Sequence, residues 1–166
     1  MIYEVKVHIY DFSNGWAKTL SPWLLWKDIG GIWHTGIEVY GYEYFFGGGI
    51  QKDTHKEVAS YLCDPVETKV IGYTEIDEEL FFDYLTTLRS KYTYDKYNLF
   101  TQNCNHFSND ICYFLTGRNI PKYVLDLPKE CENTYVGATF KFILRQLEKI
   151  GKKYDAMDLY LSLIHI

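Results

Sequence analysis

The stretch NCNHFSNDICYFLTG, residues 103–117, predicts an amphipathic helix with a cysteine in its first turn. Asn103 is of a residue type favoured at the N-cap, and Gly117 is a typical C-terminal stop. Between them, apolar residues recur at the spacing of one helix face: Phe107, Ile111, Phe114 and Leu115. Cys104 is therefore expected at the N-terminal end of a helix.

That position makes Cys104 a candidate nucleophile. The backbone N–H groups at a helix start and the helix dipole favour the thiolate, and the same N–H groups can bind an oxyanion. The alternative is an ordinary buried cysteine. Cys112 is expected in the helix core, whereas Cys63 and Cys131 lie in loop-like contexts without such an anchor. No CxxC pair or finger-like spacing with histidine occurs, so no metal site is expected.

A thiol nucleophile needs a base, and histidine is the usual one. His34 follows a Gly-Gly turn at the start of a β-rich run and is the leading candidate. His106 follows Cys104 too closely, because residues i and i+2 of a helix point apart, so we interpret it as a surface or capping residue. The remaining histidines are expected to be solvated: His8, His55 and His165.

The rest of the chain predicts a mixture of strands and helices. Residues 3–9 alternate apolar and polar as in a half-buried strand. The runs 33–40 and 42–46 flank Gly41 as in a tight hairpin, closed by glycines 47–49, and 66–73 suggests a further strand. Thr74 resembles the start of a capping box, which predicts a helix to about Lys91 with five inward residues. Those residues are Leu80, Phe81, Tyr84, Leu85 and Leu88.

Four other segments carry weaker predictions. Short helical turns are expected within 16–26, an irregular connection over 119–128, and an amphipathic helix over 140–150. The tail, residues 151–166, is left open between a helical extension, a contact with a neighbour and an expression tag.

Composition narrows the class of protein. The chain has 166 residues and a net charge of −5, without a basic stripe that would bind phosphates, so no nucleic-acid partner is expected. The beginning of the chain lacks a signal-peptide pattern and no apolar run is long enough to span a bilayer. We therefore expect a soluble, unexported protein with reduced thiols, no transmembrane segment and no cofactor.

Several segments together resemble the PPPDE family of thiol isopeptidases, of the desumoylating isopeptidase type. They run in order from about residue 5 to residue 137, and include 120–121 (IP) and 126–128 (DLP). The main ones are 9–15 (IYDFSNG), 31–36 (GIWHTG), 43–50 (EYFFGGGI), 98–100 (NLF), 103–109 (NCNHFSN) and 114–117 (FLTG).

The resemblance implies an α+β, permuted papain-like cysteine peptidase fold with an antiparallel sheet packed with helices, as one domain over residues 1–150. It implies His34 and Cys104 as the catalytic pair, without an assigned third residue. It also implies removal of SUMO or ubiquitin-like modifiers from lysine side chains, a cytoplasmic or nuclear location, and a homodimer. A narrow channel for the modifier tail is expected to have aromatic walls, for which Trp33, Tyr44, Phe45 and Phe46 are candidates.

Two other functions stay open on the sequence. The same nucleophile would serve a thiol acyl hydrolase, such as a palmitoyl-protein thioesterase, because permuted lipid-modifying thiol enzymes share an Asn-Cys-x-His-Phe segment. A non-enzymatic adaptor would keep the fold without a reactive cysteine, and an unperturbed thiol pKa would indicate it.

Overall fold

A five-stranded antiparallel sheet organises the chain, and the computed structural model describes residues 1–12, 31–98 and 101–131. The strands are β1 (Tyr3–Asp11), β2 (Trp33–Val39), β3 (Tyr42–Phe46), β4 (Ile50–Asp53) and β5 (Glu67–Thr74), in the order β4-β3-β2-β1-β5. The helices are α1 (His55–Tyr61), α2 (Glu78–Leu88), α3 (Cys104–Thr116) and α4 (Lys122–Cys131), with a short 3-10 helix at Tyr94–Lys96. The expected α+β class with an antiparallel sheet is confirmed.

The hairpin between β2 and β3 turns as the sequence predicts. Tyr40 and Gly41 have φ values of 55° and 82°, as a two-residue turn that matches the strand twist requires. The side chain of Tyr40 reaches beyond the turn, where its hydroxyl donates to the carbonyl of Ile76 at 2.6 Å. The hairpin is thereby tied to the segment before α2.

Helix α3 covers one face of the sheet. Its buried residues Phe107, Ile111 and Leu115 join a single apolar cluster with strand residues such as Val7 and Ile37. Asn103 caps the helix and Gly117 ends it in the left-handed conformation, with φ 67°. The predicted helix is confirmed at both ends, and Cys104 is its first residue.

The opposite face of the sheet carries a smaller apolar cluster under α1. Tyr10, Phe45 and Val58 are its buried members, and Phe12 packs against them. Side chains of successive strand residues point to opposite faces. Each strand therefore contributes alternately to the α3 face and to the α1 face.

Two helical predictions were wrong in detail. Helix α2 begins at Glu78 and not after Thr74, because the Asp77 carboxylate caps it by accepting from the N–H of Leu80 at 2.9 Å. Leu80 consequently lies in the exposed first turn, 52% exposed, whereas Phe81, Leu85 and Leu88 are buried as expected. The supposed irregular connection contains α4.

Helix α1 and strand β4 were not predicted. Thr54 and Glu57 form a capping box that starts α1, in a charged stretch whose buried residue is Val58. The expected turns within 16–26, the helix over 140–150 and the tail 151–166 lie outside the described residues. Along the part of the chain that is described, no helix has the length and apolar character needed to cross a bilayer.

Candidate active site

The cap of α3 fixes the position of Cys104. The Asn103 side chain accepts from the backbone N–H groups of Asn105 and His106 at 2.9 and 3.1 Å. The His106 ring contacts Asn103 in return, which completes a capping box. The interpretation of His106 as a capping residue is confirmed, and Cys104 is left at the exact start of the helix, 5% exposed.

The sulfur of Cys104 is surrounded by hydrogen-bond donors yet keeps its proton. Burial raises the pKa of the thiol to about 11, although the backbone N–H groups of Thr35 and Asn105 and the Tyr97 phenol lower it. The thiol itself donates to Asn105 Oδ1 at 3.6 Å. The sequence predicted that the helix start favours the thiolate, and in this structure the cost of burying the charge exceeds that effect.

Asn105 joins α3 to the strand that carries His34. Its Nδ2 donates to the carbonyl of Trp33 at 3.0 Å, and its Oδ1 accepts from the Thr35 hydroxyl at 2.9 Å. One turn later, the Ser108 hydroxyl donates to the Thr35 carbonyl at 3.0 Å. The two neighbours of His34 in the chain are thus held by the residue that follows Cys104.

The His34 imidazole lies on the α1 face of the sheet. It stacks on Phe12 with ring centroids 4.8 Å apart, and Tyr10 and Phe45 lie 6.0 Å away. The ring is 1% exposed, and neither of its nitrogens has a hydrogen-bond partner. Burial lowers the pKa of His34 to about 3, so the imidazole is neutral.

The Cys104 sulfur is therefore close to the backbone of the His34 segment, but the two side chains are not hydrogen-bonded to each other. The sulfur contacts the N–H of Thr35, the residue after His34. Thr35 directs its hydroxyl to α3, whereas the His34 ring packs on the other face. The imidazole and the thiol share no hydrogen bond in this structure, and the catalytic role of the pair stays a prediction.

Several secondary expectations for site residues were wrong. Tyr44 and Phe46 belong to the buried core under α3, and Phe45 belongs to the cluster under α1, so these three cannot line an open channel. Trp33 alone of the candidate walls is half-buried, with its ring against Tyr123. Strand β3 is covered on both faces from Glu43 to Phe46, so aromatic residues that point to either face are buried, which alternation alone does not predict.

The burial of the other histidines and cysteines agrees with the sequence prediction for the cysteines that are described but not for His8. His8 is 2% exposed and not solvated, because α1 covers it and the rings of His8 and His55 stack with centroids 3.9 Å apart. Cys112 is buried in the core as predicted, and Cys63 is exposed. His165 and the side chain of Cys131 lie outside the described residues.

Tyr97 and Asn105 are site residues to which the sequence assigned no role. The position of Asn105 could have been predicted from the sequence. Asn105, Ser108 and Cys112 form a stripe of polar and small residues on the buried side of α3. Buried amides and hydroxyls need partners, so such a stripe indicates a polar contact with the sheet. Tyr97 had no such signal, since it reaches the sulfur from outside the helix.

The neutral state of His34 predicts that acid destabilises the fold. A folded pKa of about 3 lies below the ordinary value of 6.5. His34 therefore contributes stability that is complete above pH 6.5 and is lost as the pH falls from there towards 3. Between about pH 8 and about pH 5, we expect this residue to lower the free energy of unfolding by about 2 kcal/mol.

Urea unfolding at the two pH values checks this. The matched variant His34→Phe keeps an aromatic ring beside Phe12 but has no group to protonate, so it should lose about 2 kcal/mol less than the wild type. Equal losses in the two proteins would contradict a buried neutral imidazole.

Comparison with known proteins places the chain in a family. The model described as "PPPDE putative peptidase domain" matches residues 3–145, and the chain belongs to this peptidase family. The resemblance found in the sequence is confirmed.

Its relatives carry a consistent name. Human desumoylating isopeptidase 1 is 43% identical over 149 residues, which cover 89% of this chain and 88% of that protein. Desumoylating isopeptidase 1 of Xenopus laevis is 39% identical over 146 residues, with 87% and 85% covered. The Caenorhabditis elegans homolog of desumoylating isopeptidase 1 is 30% identical over 131 residues, with 72% and 36% covered. These relatives support a hydrolase role of the isopeptidase kind.

Proposed function

We propose that this chain is a cysteine isopeptidase that releases SUMO, or a related ubiquitin-like modifier, from lysine side chains. The observation that carries the proposal is the placement of the Cys104 sulfur at the start of α3, against the backbone that follows His34. The names of the relatives supply the substrate class. The order of the elements, with the histidine strand before the cysteine helix, fits the permuted papain-like arrangement that we propose for the fold.

The reaction begins from a neutral pair. His34 takes the proton from the Cys104 thiol as the sulfur attacks the carbonyl of the modifier's C-terminal residue. The backbone N–H of Cys104, which the Asn103 cap does not engage, stabilises the oxyanion. His34 then gives the proton to the departing lysine amine, the C–N bond breaks, and a thioester on Cys104 remains. Water then attacks this thioester and gives a proton to His34, the C–S bond breaks, and His34 returns the proton to the Cys104 sulfur as the modifier leaves with a free C-terminal carboxyl group.

This sequence of steps requires a movement of His34. Its ring has to leave the stack with Phe12 and turn towards the sulfur, which lies beside the adjacent Thr35 N–H. Because neither ring nitrogen has a partner in its present position, no hydrogen bond is broken by that turn. Catalytic hydrogen bonds often form fully only in the complex with substrate.

The test uses modifiers whose C-terminus carries an electrophile. SUMO and ubiquitin probes are incubated with the wild type, with Cys104→Ser and with Cys63→Ser, the last being a control for labelling of the exposed thiol. We expect the SUMO probe to label the wild type and Cys63→Ser but not Cys104→Ser. Labelling by the ubiquitin probe alone would keep the enzyme class and change the modifier.

Turnover of a palmitoyl-thioester reporter without any labelling by the modifier probes would replace the proposal by a thiol acyl hydrolase.

The resting site favours one other candidate function, a non-enzymatic adaptor. The protonated thiol of Cys104 and the imidazole of His34 without a hydrogen bond are what an inactive pair would present. Failure of every probe and reporter with the wild type, under conditions in which a related isopeptidase reacts, would favour the adaptor over both enzymes.

A further inference from the structure

A second cluster of chemically active side chains lies on the α1 face of the sheet. His8 comes from β1, Glu43 from β3, and His55 is the first residue of α1. One ligand atom from each lies within 4.8 Å of the others. His8 and Glu43 are buried, whereas the His55 side chain is 36% exposed. The cluster therefore has a closed interior and an opening on the side of His55.

The position of the Glu43 carboxylate is fixed by its surroundings. The Tyr10 hydroxyl lies 2.9 Å from both of its oxygens, and His55 Nδ1 lies 2.8 Å from Oε2. Gly36 leaves the space that the carboxylate occupies, because a Cβ there would lie 2.1 Å from Glu43 Oε1. The Tyr10 hydroxyl thus resembles the outer hydrogen-bond partner of a metal-binding carboxylate, whereas the His55 contact joins two members of the cluster.

Two carboxylates lie close together in this part of the sheet. Glu38 stands opposite Glu43 in the pairing of β2 with β3, so two carboxylates share this part of the face. Like charges at facing positions destabilise a sheet. Glu38 lies 2.7 Å from His8 Nε2, and Lys6 lies 3.4 Å from its other oxygen. A neutral imidazole carries no charge, so Lys6 supplies positive charge to Glu38, and a divalent cation would offset the charge of the second carboxylate.

We propose that His8, Glu43 and His55 bind a divalent transition-metal ion of the zinc class, with Glu38 available as a fourth ligand. Two imidazoles and one or two carboxylates are a typical donor set for zinc. Ligand atoms of a tetrahedral zinc are about 3.3 Å apart. The present span of 4.8 Å therefore closes by small side-chain rotations, which also separate the stacked rings.

The hydrogen bonds of His8 allow its Nε2 to become a metal ligand. Its Nε2 now donates to Glu38, and its Nδ1 accepts from the Thr68 hydroxyl at 2.8 Å. A hydroxyl can donate or accept, so the proton can move to Nδ1, with Thr68 as acceptor, and leave Nε2 for the metal. The ion would connect β1, β3 and α1 on the sheet face opposite α3.

The experiment is a titration of the full chain with zinc chloride, followed by calorimetry. Cys63, Cys104 and Cys131 are replaced by serine so that thiols do not compete. We expect binding of one equivalent, and a cobalt(II) complex whose spectrum lacks a thiolate charge-transfer band. His55→Gln, at the exposed edge of the cluster, should weaken the affinity at least ~10-fold. Glu79→Gln, an exposed carboxylate on α2, is the matched control and should change nothing.

A second variant tests a ligand in the interior of the cluster. His8→Asn removes an interior ligand, and circular dichroism establishes whether it is folded before its affinity is compared. The absence of one-equivalent binding in the parent would overturn the proposal. Equal affinities in the parent, His55→Gln and folded His8→Asn would overturn it as well, as would a thiolate band in the cobalt spectrum. None of these measurements depends on isopeptidase activity.

Discussion

Cys104→Ser is expected to reduce kcat/KM for a SUMO conjugate by at least ~10³-fold, the scale on which removal of a catalytic nucleophile acts. Serine is close to cysteine in size and fits the same buried position, so the fold should persist. Its hydroxyl is far less acidic than a thiol, and a neutral imidazole does not activate it as readily. Steady-state kinetics on an isopeptide-linked conjugate measure the loss.

The role of His34 is tested in the same assay with His34→Phe. This variant removes the base but retains an aromatic ring beside Phe12. If the two residues act as a unit, His34→Phe should cost about as much as Cys104→Ser, and the double variant should be no slower than either one. Losses that multiply in the double variant, or a His34→Phe enzyme with near-normal kcat, would exclude the dyad.

Cys112→Ser is the matched control for both variants. Cys112 is a buried cysteine of the same helix and carries no proposed role in the reaction. It should lower stability through its buried hydroxyl while kcat per folded molecule stays unchanged. A large fall in kcat for this control would mean that disturbance of α3 alone explains the loss in Cys104→Ser.

Features set by neighbouring residues in the chain were predictable from sequence. Asn103 and Gly117 mark both ends of α3 because a cap and a left-handed stop act within one turn. The hairpin at Gly41 was predictable for the same reason. The placement of Cys104 at a helix start, and of His34 near the start of a strand, followed from these local signals.

Features set by tertiary contacts were not predictable. The effect of burial on the Cys104 pKa depends on what covers the helix start, which a helix pattern does not contain. His8 looked solvated because α1 has few apolar residues and was not recognised as a helix, although it covers His8. The orientation of the His34 ring towards Phe12 likewise depends on pairing between β1 and β2.

Asn105→Ala is expected to damage both the fold and the reaction. Its amide is 3% exposed and holds the Trp33 carbonyl and the Thr35 hydroxyl, which would lose their partner in the interior. Buried polar groups left without a partner cost about 1–3 kcal/mol each, so we expect a loss of about 2–4 kcal/mol in the free energy of unfolding. Because the strand next to His34 is no longer fixed to α3, kcat should fall ~10–100-fold while KM changes little.

Asn105→Asp separates positioning from stability. Aspartate keeps an acceptor for the Thr35 hydroxyl but loses the donor to the Trp33 carbonyl, and it places a carboxylate where Oδ1 lies 3.6 Å from the Cys104 sulfur. A nearby negative charge opposes thiolate formation and raises the thiol pKa further. The rise of kcat/KM with pH should therefore shift to higher pH in this variant.

Ser108→Ala is the control for that shift, because Ser108 binds the same strand through the Thr35 carbonyl and makes no contact with the sulfur that the structure records. It should lower stability by about 1 kcal/mol and leave the pH profile in place. If Asn105→Asp and Ser108→Ala gave the same pH profile as the wild type, Asn105 would be a structural residue only. A shift confined to Asn105→Asp would place it among the residues that position the nucleophile, since a purely structural contact does not change the protonation of a neighbouring thiol.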